Sequence, residues 1–512
     1  MKEVRRFTQT RGPPGLAPSP TNQALKRSLA SGINGGQHPN HTQRVKSTSY
    51  LPWVATIGLG GSIVWTMYPP QQGAKVVQER KTLVVLGTGW GSISFLSKLD
   101  KEQYEVIVVS PHNYFLFTPL LPSCTTGLIS PRSLMEPVRS FLGQNPDAIK
   151  FYEAEAVKVD YNRRVVHIQY RSGAHCQEGQ AEVPFDLLVM GVGADNATFN
   201  IPGVNEHACF LKSVSDAQTV QNHIIDCIEM TLVKEKSQED LQRLSQIVIV
   251  GGGPTGVEVA AELQDFFHDD LKKQVPCMKN EFQITIVEAL PNVLPMLSKP
   301  LSDYTEAKLK EQSIRVLTKT AVKRVNKDSV EVETINLDGQ KELKIIPYGL
   351  LVWATGNKPR EIVQGLAAQL PEQKDLRRGL VVNEYLAVKG SHNVWALGDC
   401  ANSNLPPTAQ VAAQQGAYLA MAFNSMAEAE LGGTPDIQPF QYSHQGTLAY
   451  IGGELAVADL ELLGNSIPTR GFFTYLFWKA AYLNMCLTGR SRVLVATDWT
   501  KATLFGRHLC RQ

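Results

Sequence analysis

Apolar residues in this chain come mostly in short continuous runs separated by polar sequence. LVVL at 83–86, VIVV at 106–109, LLVM at 187–190, IVIV at 247–250, ITIV at 284–287 and LLVW at 350–353 are each too short for a buried helix. They are rich in β-branched residues and read as strands covered on both faces. Two of them run straight into a glycine-rich turn and a helix-length segment, the strand–turn–helix order of an α/β fold. SVEVETINLDGQKELKII, residues 329–346, alternates instead around Asp338-Gly339, which predicts a hairpin.

The two ends follow other patterns. Residues 1–48 show no apolar periodicity and are rich in Ser, Thr, Gln, Asn, Gly and Pro. LPWVATIGLGGSIVWTMY, residues 51–68, carries no charge and reaches the ~18-residue length of a spanning helix. Trp53, Trp65 and Tyr68 suit its interfaces, and Pro69 and Pro70 would end it. A transmembrane segment over 49–70 is the expectation, although Pro52, Gly58, Gly60 and Gly61 dilute it. Residues 472–487 are apolar and aromatic around nearly the whole helix, and the next segment mixes Val493, Leu494, Trp499 and Leu504 with Arg and Lys. That pattern predicts a helix lying in a membrane interface, with a buried C-terminal helix or dimer contact as the alternative.

The glycine turns carry the chemistry. In KTLVVLGTGWGSISFLSKL, residues 81–99, Gly87 permits a tight turn and Gly89 lets backbone approach a pyrophosphate at a helix N-terminus. The third position is Ser92, with Gly91 before it, and the next strand ends in Ser110 where a ribose-binding acid is expected. QIVIVGGGPTGVEVAAEL, residues 246–263, has Gly251, Gly253 and Gly256 in full G-x-G-x-x-G register, and its next strand ends in Glu288. A carboxylate there binds ribose hydroxyls and repels a 2′-phosphate, favouring NADH over NADPH. The polar stretch 268–282 explains the long spacing from Gly251 to Glu288. Two such turns predict two dinucleotides, most economically a flavin dinucleotide in the first and a nicotinamide in the second. The turns after 184–194 and 349–357, the latter with Thr355 and Gly356, would close the two sites. NVWALGDCA, residues 393–401, delivers Asp399 to a loop, where it either accepts from a ribityl chain or caps a helix.

Composition narrows the class. With 512 residues, 43% hydrophobic, the chain can bury large cores and is neither disordered nor a disulfide scaffold. The net charge of +2 conceals a segregation. Lys2, Arg5, Arg6, Arg11, Lys26, Arg27, Arg44 and Lys46 face only Glu3 in residues 1–48, which suits a mitochondrial targeting segment or a basic tail. Arg490, Arg492, Lys501, Arg507 and Arg511 face only Asp498 after residue 489. The body between is acidic, which argues against nucleic-acid binding. The eight cysteines form no C-x-x-C or C-x4-C pair and no zinc spacing.

From about residue 81 onward the chain resembles the type II, non-proton-pumping NADH:ubiquinone oxidoreductases of mitochondria. The resemblance is carried by VVLGTGWGSISFL, NYFLFTPLLPSCTTG, GGGPTGVEVAAELQDF, VEALPNVLPM, WATGNKPR, ALGDCA and LPPTAQVAAQQGAYLA. FTPLLPSCTTG looks most like the fungal external enzymes. The resemblance implies an α/β fold of two Rossmann-type domains, for FAD and NADH, with a C-terminal membrane-anchoring domain. The corresponding boundaries are 80–240 and 358–430 for FAD, 241–357 for NADH and 431–512 for the anchor. It also implies non-covalent FAD, NADH as substrate, ubiquinone as acceptor, contact with inner-membrane lipids, a homodimer, and a body facing the intermembrane space. Position by position, Gly87, Thr88, Gly89, Trp90, Gly91, Ser110, Thr118, Pro119, Leu120 and Asp399 would hold FAD. Gly251, Gly253, Pro254, Thr255, Gly256, Glu288, Thr355 and Gly356 would hold NADH. Glu258 would lie near the nicotinamide–flavin contact, and Gln410 and Gln414 beside flavin and quinone. Gln410 has a plainer role open to it, capping backbone. Ala413 stands where some relatives have His. No metal site is expected, since no EF-hand loop occurs. Two rival classes share the fold: a sulfide:quinone oxidoreductase, should Cys124 and Cys400 meet, and a flavoprotein of the apoptosis-inducing type that senses NADH.

Overall fold

The computed structural model describes residues 55–57, 63–65 and 80–511, apart from 144–148, 171–178, 234–235, 277–281, 337, 375–377, 431–436, 463–464 and 508. The targeting segment expected at 1–48 lies outside the described residues. So does most of the expected spanning helix. The two described parts of it, Ala55–Ile57 and Ile63–Trp65, pair as antiparallel strands in the register Ala55↔Trp65 and Ile57↔Ile63. The helix expected over 51–68 is therefore not what is described there. The physical reason lies in the composition: β-branched Thr56, Ile57, Ile63 and Val64 flank a glycine-rich stretch, a pattern that favours strands over helix.

Residues 82–512 form one compact unit built on two five-stranded parallel sheets that share the arrangement of four strands and differ in the fifth, outermost one, which comes last in the chain in the first sheet and first in the second. In the first, the order is Val394–Ala396, Leu187–Met190, Thr82–Leu86, Glu105–Ser110 and Ile149–Glu153. In the second, it is Cys209–Phe210, Leu350–Trp353, Gln246–Val250, Gln283–Val287 and Arg315–Leu317. In each, the strand feeding the glycine turn is central. Four of its five residues are buried, as a strand covered on both faces requires. Each sheet has a three-stranded antiparallel companion, 155–184 and 320–347. In the second companion, strands Ser329–Ile335 and Lys341–Pro347 form the predicted hairpin, with Gly339 at φ +74°.

The chain passes between the sheets twice, and the two crossings pair with each other. Ala194–Asn196 runs antiparallel to Asn357–Pro359. Lys212 fastens the pair, its Nζ donating to Ala194 O and Asp195 O, each at 3.1 Å, and to Asn357 Oδ1 at 2.6 Å.

Helix Ala409–Glu430 lies across helix Trp90–Lys98 at the mouth of the first sheet. A Cβ on Gly416 would stand 2.1 Å from Gly91 O, so backbone meets backbone there. Beyond it, strands Thr447–Tyr450, Ala456–Leu462 and Asn465–Gly471 lead into helices Phe472–Met485 and Gly489–Phe505. The apolar helix expected over 472–487 and the mixed basic segment after it are two separate helices. Tyr475, Trp478, Tyr482, Val495 and Trp499 face the body and Phe473, Leu476, Phe477, Val493 and Phe505 face outward. The segment is thus buried on one face, as a C-terminal helix packed on the body would be, and apolar but exposed on the other. Among the described residues no helix is long and apolar enough to cross a membrane.

Gly416→Ala should lower stability by about 1–3 kcal/mol through overpacking of the helix crossing. Urea unfolding of the wild-type and variant proteins would measure it.

Candidate functional site

At the first turn, Gly87 adopts φ +91° and its N–H donates to Val109 O at 2.8 Å. A side chain there would strike Gly191 O. Gly91 packs against Leu397 and Ala412 O of the crossing helix. The second turn repeats this: Gly251 has φ +115° and donates to Val287 O at 2.9 Å, and Gly256 packs on Gly251 O. These four glycines are required by the protein's own packing. Gly89 and Gly253 are not. Both have ordinary negative φ, both stand at the N-cap of a helix, and a Cβ on either would meet nothing within 4 Å. A glycine that neither backbone nor packing needs, at a helix N-terminus, leaves room for an anionic ligand. Both turns therefore fit a pyrophosphate.

Glu288 is buried at the end of its strand. Its carboxylate accepts from Gly252 N at 2.5 Å and Leu290 N at 2.7 Å. Ser110, at the equivalent place in the first sheet, turns inward: its hydroxyl bonds Thr88 Oγ1 at 2.9 Å and accepts from His112 N at 3.2 Å. Trp90 Nε1 donates to Thr118 Oγ1 at 3.0 Å, which ties the first nucleotide helix to Thr118–Leu120, the short turn containing Pro119.

A cavity of about 640 Å³ joins the two halves. Thr255, Thr355 and Gly356 line it from the second sheet, and Gly398, Asp399 and Val411 from the first, with Lys212 between them. Asp399 caps no long helix; it sits in a short turn, Gly398–Cys400. Burial raises its pKa, and Lys212 opposes the rise. The sequence reading missed Gln415. This fully buried amide accepts from Gly398 N at 2.7 Å and donates to Ser403 Oγ at 2.9 Å, so it fixes the Asp399 loop to the crossing helix. No local pattern distinguishes it from Gln414 beside it.

Gln410 and Gln414 lie together on the crossing helix, and both amides are engaged. Gln410 Nε2 donates to Gly446 O at 2.9 Å, and Gln414 exchanges two bonds with the Ser443 backbone. Both amides thus cap backbone, the plainer role left open for Gln410.

Glu258, Glu262 and Asp265 follow one another on helix Pro254–Asp265 and are all buried beneath the C-terminal elements. Glu258 accepts from Tyr450 N at 3.2 Å, Glu262 from Ser123 Oγ at 2.7 Å and Arg507 Nη1 at 2.9 Å, and Asp265 from Tyr450 OH at 2.5 Å. Burial pushes Glu258 up to about 8 and Asp265 to about 6.

Cys124 and Cys400 are both free and buried, with their thiols directed at backbone carbonyls. Burial pushes both pKa values up, that of Cys400 to about 11, the reverse of what a redox thiolate needs.

Residues 81–416 match the family described as Pyridine nucleotide-disulphide oxidoreductase, and residues 444–508 match the NDH2 C-terminal domain. The chain is 46% identical to the external alternative NADH-ubiquinone oxidoreductase, mitochondrial, of Yarrowia lipolytica, over 92% of this chain and 89% of that one. It is similar to the structure of NDH2 from Plasmodium falciparum in complex with NADH, at a TM-score of 0.77 and 28% identity, over 84% of this chain and 100% of that one. The sulfide:quinone oxidoreductase of Aquifex aeolicus is similar in fold alone, at a TM-score of 0.61 and 17% identity over 84% and 98% of the two chains.

The folded-state pKa of Glu258 lies above the ordinary 4.5, so its burial costs stability as pH rises from about 4.5 towards 8 and the cost then levels off. Glu258→Gln should therefore match wild type near pH 4. It should become the more stable protein with rising pH, by at most about 1.4 kcal/mol per pH unit in that window. Urea unfolding at pH 4.5, 6 and 8 would measure the gap.

Proposed function

The chain belongs to the mitochondrial NADH-ubiquinone oxidoreductase branch of the pyridine nucleotide-disulphide oxidoreductase family, and from that premise we propose how its residues divide the work. It oxidises NADH with FAD as its bound cofactor and reduces ubiquinone without pumping protons. It works at the mitochondrial inner membrane, with its body in the intermembrane space. The observation that carries this reading is the pair of glycine turns, each with a glycine at a helix N-terminus that the protein's own packing does not need, on two parallel sheets with a cavity between them.

Gly87, Thr88, Gly89, Trp90 and Gly91 hold FAD at the first helix N-terminus, with Thr118, Pro119 and Leu120 along the ring and Asp399 on the ribityl chain. Ser110 acts through Thr88, which it orients. The flavin supplies two-electron relay chemistry. Gly251, Gly253, Pro254, Thr255 and Gly256 hold NADH at the second helix N-terminus, and Thr355 and Gly356 close over it. Glu288 receives the adenosine ribose hydroxyls, already oriented by Gly252 N–H and Leu290 N–H. Hydride transfer needs orientation rather than a protein acid. That orientation falls to Lys212, which locks the crossing strands, and to Gln415, which locks the Asp399 loop. Glu258 lies behind the nicotinamide–flavin contact, and Gln410 and Gln414 build the quinone side.

Residues 431–512 form the membrane-association domain, with a homodimer as the assembly. Support comes from the outward face of the C-terminal helices, where Phe472, Phe473, Phe477, Leu504 and Phe505 stand exposed near Arg490 and Lys501.

Stopped-flow reduction of the flavin by NADH, followed by its reoxidation with ubiquinone, tests the whole reading; a flavin that NADH reduces but quinone does not reoxidise would overturn it. Glu288→Gln should cut the preference for NADH over NADPH by roughly 10–100-fold, since it loses both charged hydrogen bonds and 2′-phosphate repulsion. Ratios of kcat/KM for the two nucleotides measure this. Phe473→Asp with Phe505→Asp should weaken sedimentation with liposomes while leaving NADH-dependent flavin reduction intact.

A further inference from the structure

The quinone side has a proton requirement that its two glutamines do not meet. The net reaction, NADH + H⁺ + ubiquinone → NAD⁺ + ubiquinol, moves two electrons and takes one proton from water. An amide donates hydrogen bonds but does not give up protons near neutral pH. Gln410 is, however, hydrogen-bonded to a titratable pair. Its Oε1 accepts from Tyr442 OH at 3.2 Å, and the same hydroxyl lies 3.1 Å from His444 Nδ1. The His444 ring stands 6.0 Å from the Tyr442 ring, tilted by 56°, and is exposed to solvent, whereas Tyr442 is half-buried.

We propose that His444 and Tyr442 are the proton-entry arm of the quinone site, with His444 taking protons from water and Tyr442 delivering them to the quinone oxygen. This rests on the function given above. The bonds run in one direction. Gln410 Nε2 is committed to Gly446 O and Gln445 N donates to Oε1 at 3.4 Å, so the amide presents its oxygen to Tyr442 and directs the phenolic hydrogen toward the crossing helix. The remaining lone pairs of the phenol are open to His444, whose Nδ1 lies 3.1 Å away and donates to them when it carries a proton. In the step, the Tyr442 O–H bond breaks as the O–H bond of the reduced quinone forms. The imidazolium Nδ1–H proton passes to the phenolate oxygen, and His444 regains a proton from water. A reduced quinone anion is basic enough to take a phenolic proton.

The arm is held in place from both ends. Gln414 Nε2 donates to Ser443 O at 2.8 Å, and Ser443 N donates to Gln414 Oε1 at 3.0 Å, so the residue between Tyr442 and His444 is fixed to the crossing helix. Both glutamines thus become positioning residues for the arm. Burial, and to a lesser extent the charge of Glu461, raises the Tyr442 pKa and keeps the hydroxyl protonated at rest. Glu258 is not part of the arm: it is buried and its carboxylate accepts from Tyr450 N.

The test uses the full-length, FAD-loaded enzyme and separates the half-reactions by stopped flow. In Tyr442→Phe and His444→Ala, NADH should reduce the flavin at the wild-type rate to within about twofold. Reoxidation by a short-tailed ubiquinone should fall roughly 100-fold, the usual share of a positioned proton donor. Added imidazole should restore most of the His444→Ala rate and none of the Tyr442→Phe rate. Reoxidation at the wild-type rate, loss shared equally by both half-reactions, or no imidazole rescue would each overturn the arm. A wild-type enzyme inert to quinone would instead overturn the function on which it rests.

Discussion

Three carboxyl groups on one helix must be buried together, and much of the architecture answers that constraint. Glu258, Glu262 and Asp265 lie on the buried face of the helix that begins at the second nucleotide turn. A buried carboxylate is costly unless it is paired, hydrogen-bonded or protonated. Each solution is used once. Glu258 is held largely protonated, Glu262 pairs with Arg507, and Asp265 takes the Tyr450 hydroxyl and Gly453 N–H. The partners come from remote sequence: Ser123 from the first nucleotide half, Tyr450 and Arg507 from the C-terminal elements. The helix that begins at the second glycine turn is thereby fastened to the first nucleotide-type half and to the C-terminal elements. Arg507 also contacts Asp270, so the last described stretch of the chain is anchored in the body.

The same economy governs the active cavity. The two sheets share the order of the four strands around the glycine turn, so their turns are alike in construction, and a cavity lies between them. Its geometry then depends on how the two crossings are set. Lys212 spends all three of its ammonium donors on the paired crossing strands, and Arg360 faces Asp195 at 3.6 Å on the same pair. Such a hinge is stiff, as hydride transfer over a short, aligned path requires.

The crossing helix serves two purposes. Its Gly416 face touches Gly91 at the first turn, and its Gln410 and Gln414 face holds residues 442–446. The cofactor turn and the start of the C-terminal domain are therefore attached to one rigid element. The outward aromatic face of the terminal helices and the inward Tyr–Trp cluster are likewise two sides of one structure.

Sequence alone determined the sheets, the two glycine turns, Glu288 and the hairpin. These depend on local rules, namely runs of β-branched residues, positive-φ glycines, and an acid at a strand end. It singled out Glu258, Gln410 and Gln414 only through resemblance. Within 51–68 it read a helix where the described residues 55–57 and 63–65 pair as strands, in keeping with their β-branched side chains. Only the tertiary structure decided that Ser110 turns inward, that Gln415 rather than a neighbour holds the Asp399 loop, and that one terminal segment has both a buried and an outward face. It alone brought His444 and Tyr442 to Gln410 across more than thirty residues of chain. The physical reason is the same in each case: hydrogen bonds and burial between distant segments leave no periodic trace in the sequence, whereas strands and turns do.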